Sequence, residues 1–202
     1  MKKSVYKNLK RGKSVINQDP DAFTGETITV VSEYFPALET RQHLSRAKFI
    51  DYFKLISSFA KTKGCEIVFF RDEDDGEPGV FNPLSKQIFI NGVFSRKEKL
   101  ATILHEVGHL MDYNNRPRLF KSRRLQRALA SFELNPNMSR RDRDLIMDIE
   151  TKAWLYARQL AKELDIRLDK SFDDTERNSL CFYANQCGGW HLVEEFKKIM
   201  NY

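Results

Sequence analysis

Between Leu100 and Met111 the apolar residues fall on one side of a helix. Stepping about 100° per residue, Leu100, Ile103, Leu104, Val107, Leu110 and Met111 gather opposite His105. Glu98, Ala101, Thr102, Gly108, His109 and Asp112 share the histidine's side, which is small or polar and reads as an open face. Ser95 with Glu98 three residues on forms a capping box, while Asn114-Asn115 and Pro117 mark a stop. The pattern therefore predicts a helix from Ser95 to about Tyr113.

Upstream, Leu44, Ala47, Ile50, Phe53, Leu55, Ile56, Phe59 and Ala60 recur near the helical period, predicting a helix over residues 40–63 that stops at Gly64. Cys65 to Phe70 reads as a strand, and the acidic run from Asp72 to Gly79 as a loop. Val80 to Asn91 divides into two strand pieces joined by a turn at Asn82 to Lys86. The second piece, Gln87 to Asn91, leads into the histidine helix, and a strand beside a site can take an extended peptide through its backbone. Further towards the N-terminus, Asp19 to Glu26 reads as a turn and Thr27 to Val31 as a short strand.

Downstream, residues 142–165 form a second strong helical pattern, with Ser139 and Asp142 as its capping signal. Ala153, Trp154, Ala157 and Ala161 lie on the side of Glu150, a stripe of small residues that admits a close helix neighbour. Gly108 supplies a matching gap, at a cost of about 1 kcal/mol for glycine in a helix interior. Leu119 to Phe132 is a further helical stretch, interrupted at Asn135-Pro136-Asn137. The tail predicts a helix start capped by Ser171 or Asp173, a break at Cys187-Gly188-Gly189 and a last amphipathic helix from Trp190 to Met200. The fold class expected is α+β: a small antiparallel or mixed sheet packed on the histidine helix and a second, glutamate-bearing helix. Residues 1–18 read as a flexible basic arm and 19–202 as one domain, with a core at about 45–165, a basic insertion at 114–143 and a helical tail at 166–202.

Composition narrows the class. Hydrophobic residues make up 41% of the 202, with 15 Phe, 7 Tyr and 2 Trp, which is enough for a core and excludes disorder throughout. No apolar run approaches a membrane span, and the basic N-terminus lacks the apolar stretch of a signal peptide. Cys65, Cys181 and Cys187 match no paired metal spacing and read as reduced thiols of a cytoplasmic protein. The net charge of +6 permits an acidic partner but is modest for a dedicated nucleic-acid binder. Much of it sits at Arg116, Arg118, Lys121, Arg123, Arg124, Arg127, Arg140, Arg141 and Arg143. Only Phe120 and Phe132 interleave with these, which disfavours single-strand binding; a solvated face is the default, and a surface for an acidic substrate or for nucleic acid the sharper reading.

His105-Glu106-Val107-Gly108-His109 has the form H-E-x-x-H. Histidines four apart lie one turn above each other and can grip one metal ion, with the intervening glutamate in reach of a water on that ion. Catalytic zinc takes three protein ligands and keeps a fourth position open. His105 and His109 are two. Glu150 is the best third, ahead of His43 and His191, while Asp112 suits a supporting role beside the ligands. Zinc lowers the pKa of its water and polarises a carbonyl, and Glu106 is the general base. Tyr156, Tyr183 and His191 remain open as the group that steadies the oxyanion.

The strand-turn-strand from Val80 to Asn91, the run Thr102 to Leu110, and Glu150-Thr151-Lys152-Ala153-Trp154-Leu155-Tyr156-Ala157, of the form E-x-x-A-x-x-aromatic-A, together resemble the ImmA/IrrE type of zinc metallopeptidase, a gluzincin. The resemblance covers about residues 45–165. It implies a zincin-like domain with one zinc ion on His105, His109 and Glu150, and Glu106 as the catalytic residue. Members often cleave or control a regulatory protein, frequently in bacterial mobile elements or phages. The long basic segment between His109 and Glu150 is a departure from the short members, and no helix-turn-helix is evident. The expectation is a zinc metallopeptidase acting on a protein or peptide, with no membrane partner. The alternative is a non-catalytic zinc-containing module whose 116–143 segment binds nucleic acid or an acidic protein.

Overall fold

The computed structural model describes residues 44–72, 78–134 and 138–187. The basic arm at 1–18, the turn and strand at 19–31, His43, and the region from Gly188 onward, with His191, lie outside the described residues. The structure is α+β, mostly helical with one three-stranded mixed sheet. The chain divides into two compact units, Met1–Ile103 and Leu104–Tyr202, and the boundary falls inside the histidine helix rather than at a linker.

In the first unit, α1 (Arg46–Thr62) begins where the Ser45 hydroxyl accepts from the Lys48 amide. It ends at Lys63, where Gly64 takes a φ of 69°. That left-handed turn needs glycine and lets the Cys65 amide reach back to the Ala60 carbonyl at 3.0 Å. Three strands follow: β1 (Glu66–Phe70), β2 (Gly79–Asn82) and β3 (Gln87–Asn91). Phe53 of α1 meets Phe69 of β1 with ring centroids 5.3 Å apart.

The strand order is β1-β3-β2, with β3 parallel to β1 and antiparallel to β2. The strand expected to offer a peptide-binding edge is thus the central one. Both sides of β3 are paired, and among the described residues the free edges belong to β1 and β2. Its residues Ile88 to Asn91 are all buried. Asn91 ties the end of β3 to the chain on either side: its side-chain nitrogen donates to the Asp72 carbonyl at 2.8 Å and its Oδ1 accepts from the Asp72 and Val93 amides. Lys99, at 2% exposure, donates from Nζ to the Gly92 carbonyl at 2.9 Å. Its burial pulls the amine down to about 7.

α2 (Arg96–Asn115) starts with the expected capping box: the Glu98 amide donates to the Ser95 hydroxyl, and the Ser95 amide donates to the Glu98 carboxylate. The second unit holds its C-terminal part with α3 (Pro117–Phe120), α4 (Arg123–Leu134), α5 (Arg140–Glu163) and α6 (Lys170–Cys187). α5 packs against both α4 and α6. Ser139 caps α5 through Asp142, as the sequence predicts. The cap of α6 is Asp169, not Ser171 or Asp173: its Oδ1 accepts from the Ser171 amide at 3.0 Å, and the helix begins at Lys170, inside which both candidates lie. None of the described helices is long and apolar enough to cross a membrane.

Candidate metal centre

α2 brings His105 and His109 onto one face, and their Nε2 atoms stand 3.2 Å apart. Glu150, in the middle of α5, meets both. One carboxylate oxygen lies 3.3 Å from Nε2 of His105 and the other 3.6 Å from Nε2 of His109. Two helices separated by the 24 residues of chain from 116 to 139 deliver these groups because they touch main chain to main chain. A Cβ built on Gly108 would stand 2.0 Å from the carbonyl oxygen of Ala153. The gap read from Gly108 and the alanine stripe is therefore a contact between those two residues.

The histidine side of α2 is not an open face, as its polarity suggests. Ala101, Thr102, His105 and Asp112 of that side are buried and His109 is half-buried, while Leu100, Ile103, Leu104, Val107 and Leu110 opposite are buried too. An amphipathic pattern marks which side is apolar; it does not show that small and polar residues on the other side pack against a neighbour.

Electrostatics bind the three groups. Burial penalises charge on both His109 and Glu150, but each outweighs that penalty for the other. The Glu150 carboxylate, with Glu106 and Asp112 nearby, holds His109 up at about 9, and the two histidines hold Glu150 down at about 2. The metal-free centre is thus a buried ion pair. Among the described residues the Oε2 atom of Glu150 nevertheless has no hydrogen-bond partner, nor does Nδ1 of His105.

Three donors facing one another fit a cation. At zinc–ligand bonds of about 2.0–2.1 Å, the edges of a tetrahedron are about 3.3–3.4 Å. The two nitrogens stand 3.2 Å apart and a different oxygen of the Glu150 carboxylate lies near each, at 3.3 and 3.6 Å, which is close to that figure; with one ligand atom taken from each residue, all three lie within 4.8 Å of one another. Two imidazoles and one carboxylate are a mixed nitrogen and oxygen donor set, unlike the all-oxygen sets of calcium and magnesium. His105, His109 and Glu150 can hold one metal ion.

Other candidates stand elsewhere. The Tyr156 hydroxyl accepts from Asn115 at the end of α2, about 9 Å of helix rise beyond His109. Tyr183 stacks on Phe132 with centroids 5.2 Å apart, in a cluster joining α4 and α6. Asp112 supports the centre through Arg116, which binds its carboxylate and also Asp148 on α5, so one guanidinium ties the two ligand-bearing helices. Of the basic segment, Arg118, Lys121, Arg123, Arg124, Arg127, Arg140 and Arg141 are exposed, the solvated face expected of a charge run.

The structure adds residues that spacing along the chain does not reveal. Trp154 stacks on His105, centroids 4.3 Å apart and planes at 27°. Arg158, four residues on, binds Asp173 and the buried Glu176 of α6. Burial pushes the Glu176 carboxyl up against the opposing pull of Arg158. The i, i+4 spacing of Glu150, Trp154 and Arg158 was available as a signal, but it does not say what the stripe meets. No family model, curated protein or solved structure matches this chain.

Proposed function

We propose that this chain is a zinc-dependent metallopeptidase of the ImmA/IrrE type, hydrolysing a peptide bond of a protein substrate. The observation that carries the reading is the convergence of His105, His109 and Glu150, with Glu106 between the two histidines. A zinc ion, when bound, supplies a Lewis acid and a water activated near neutral pH. His105 and His109 would hold it as neutral imidazoles, and Glu150 would contribute one negative charge.

Glu106 is buried on α2 beside His105, and its charge is among those that hold up His109, which sets it within electrostatic reach of the ligands. In this reading its carboxylate accepts a proton from the attacking water and returns it to the amine nitrogen as the peptide bond breaks. Cys65 and Cys181 are free thiols, and burial pushes Cys65 up to about 12, which suits packing rather than chemistry and accords with a cytoplasmic setting. By the family resemblance, the substrate is a regulatory protein.

Glu106→Gln tests the reading. The amide cannot accept the proton, so the variant retains zinc at wild-type stoichiometry and loses hydrolysis by at least about a hundredfold. Turnover at the wild-type rate in the zinc-loaded variant sinks the general-base role.

The seven exposed basic side chains from Arg118 to Arg141 favour a second reading, a zinc-containing module that binds nucleic acid or an acidic protein. Phosphate binding of that kind loses affinity steeply with salt, and a DNA or RNA shift assay from low to physiological salt decides it.

A further inference from the structure

A histidine that ligates a metal ordinarily donates its other ring nitrogen to a carboxylate, carbonyl or water, and that hydrogen bond fixes the plane of the ring. His105 departs from this. Its Nε2 faces His109 and Glu150, while its Nδ1 is buried with no hydrogen-bond partner among the described residues. What touches the ring instead is the face of the Trp154 indole at 4.3 Å and 27°. Turning the imidazole out of that plane drives its edge into the indole.

Trp154 is itself held. It is 2% exposed, its Nε1–H donates to the Ser179 hydroxyl at 3.4 Å, and the edge of Phe172 meets its face with centroids 5.5 Å apart at 81°. Phe172 in turn carries the Arg158 guanidinium 5.1 Å above its ring. Trp154 follows Glu150 by one helical turn, so α5 presents the carboxylate and the indole on the same side.

We propose that Trp154 is a positioning residue of the metal centre, whose stacked indole takes the place of the missing hydrogen bond and sets the plane of His105 before any metal arrives. This rests on the metal-binding reading above, though not on catalysis. It assigns α5 two tasks at the centre, one ligand and the orientation of another.

The experiment measures zinc affinity by competition with a chromophoric chelator and the His105 ring-proton shifts by NMR, in the full chain. Trp154→Phe keeps a flat ring against His105 and should bind zinc within about threefold of wild type. Trp154→Leu fills space without a flat face and should bind about 10–100-fold more weakly, the range for loss of an orienting partner. In wild type the His105 ring protons should sit upfield, under the indole, both without zinc and with it.

A folded Trp154→Leu with wild-type affinity overturns the proposal. So do ring-proton shifts that move upfield only when zinc is added, because the metal would then be setting the plane. If Trp154→Leu does not fold, that comparison of zinc-free and zinc-loaded wild type decides alone. Wild type that binds no zinc overturns both this proposal and the peptidase reading; wild type that binds zinc with unshifted His105 protons overturns only this one.

Discussion

Gly108→Ala adds a single methyl group between the two helices that carry the ligands. The new Cβ would stand 2.0 Å from the Ala153 oxygen, 2.8 Å from its carbonyl carbon and 3.0 Å from its Cα. All three are main-chain atoms, so no side chain can swing aside. Reaching even the tightest contact seen for a real Cβ moves α5 away by at least about 1 Å. Alanine returns about 1 kcal/mol of helix propensity, and overpacking costs about 1–3 kcal/mol or more, for a net loss of about 0–2 kcal/mol or more.

The effect on the centre is larger than the effect on the fold. His105 and His109 ride together on α2 and keep their spacing. The separations from Glu150, now 3.3 and 3.6 Å, lengthen by an amount on the order of 1 Å, past the edge of a zinc tetrahedron. Zinc affinity should fall by about 10–100-fold, as for other losses of ligand placement. Competition with a chelator gives the affinity, and urea melts in chelator give the stability. A variant with both at wild-type values would refute the argument that this contact sets the ligand geometry.

Four further outcomes follow from the same site. Glu150→Ala removes the third ligand, so zinc content after dialysis should fall well below one per chain; full retention would move that ligand elsewhere. The metal-free protein should be most stable between about pH 4.5 and 6.5. The His109 contribution is complete below its ordinary 6.5 and is lost as pH rises through about 9, while the Glu150 contribution is complete above its ordinary 4.5 and is lost as pH falls towards about 2. Zinc uptake must displace the His109 proton, so apparent affinity should rise about tenfold per pH unit from 6.5 to 9. Urea melts in chelator and zinc titrations across this range test both, and flat profiles contradict them. Arg116→Ala leaves the fully buried Asp112 carboxylate without its cation and should cost about 3 kcal/mol in urea denaturation, with Arg116→Lys losing less; equal stability of all three proteins counts against the bridge.

Much of the secondary structure was legible because its signals are local. Ser95 with Glu98 and Ser139 with Asp142 cap the helices they announce, since a cap needs only residues three apart. Helix α4 and the strand pair from Gly79 to Asn91 lie close to their expected places for the same reason. Which strand is central was not legible: β1 and β3 pair in parallel across the intervening β2, and no local pattern encodes that order. The α6 cap was missed by choosing residues inside the first turn rather than Asp169 just before it.

The chain alone marked the histidine pair, because gripping one ion from a helix would demand two histidines a turn apart, and it marked Glu150 by the small residues around it. Tertiary structure decided what those groups do to one another. The buried ion pair, the close backbone approach of Gly108 to Ala153, the indole on His105 and the Arg116 bridge all depend on where α5 comes to rest against α2. Periodicity states which face of a helix must be covered; only packing chooses the neighbour that covers it, and the charge, orientation and spacing of a site are properties of that neighbour.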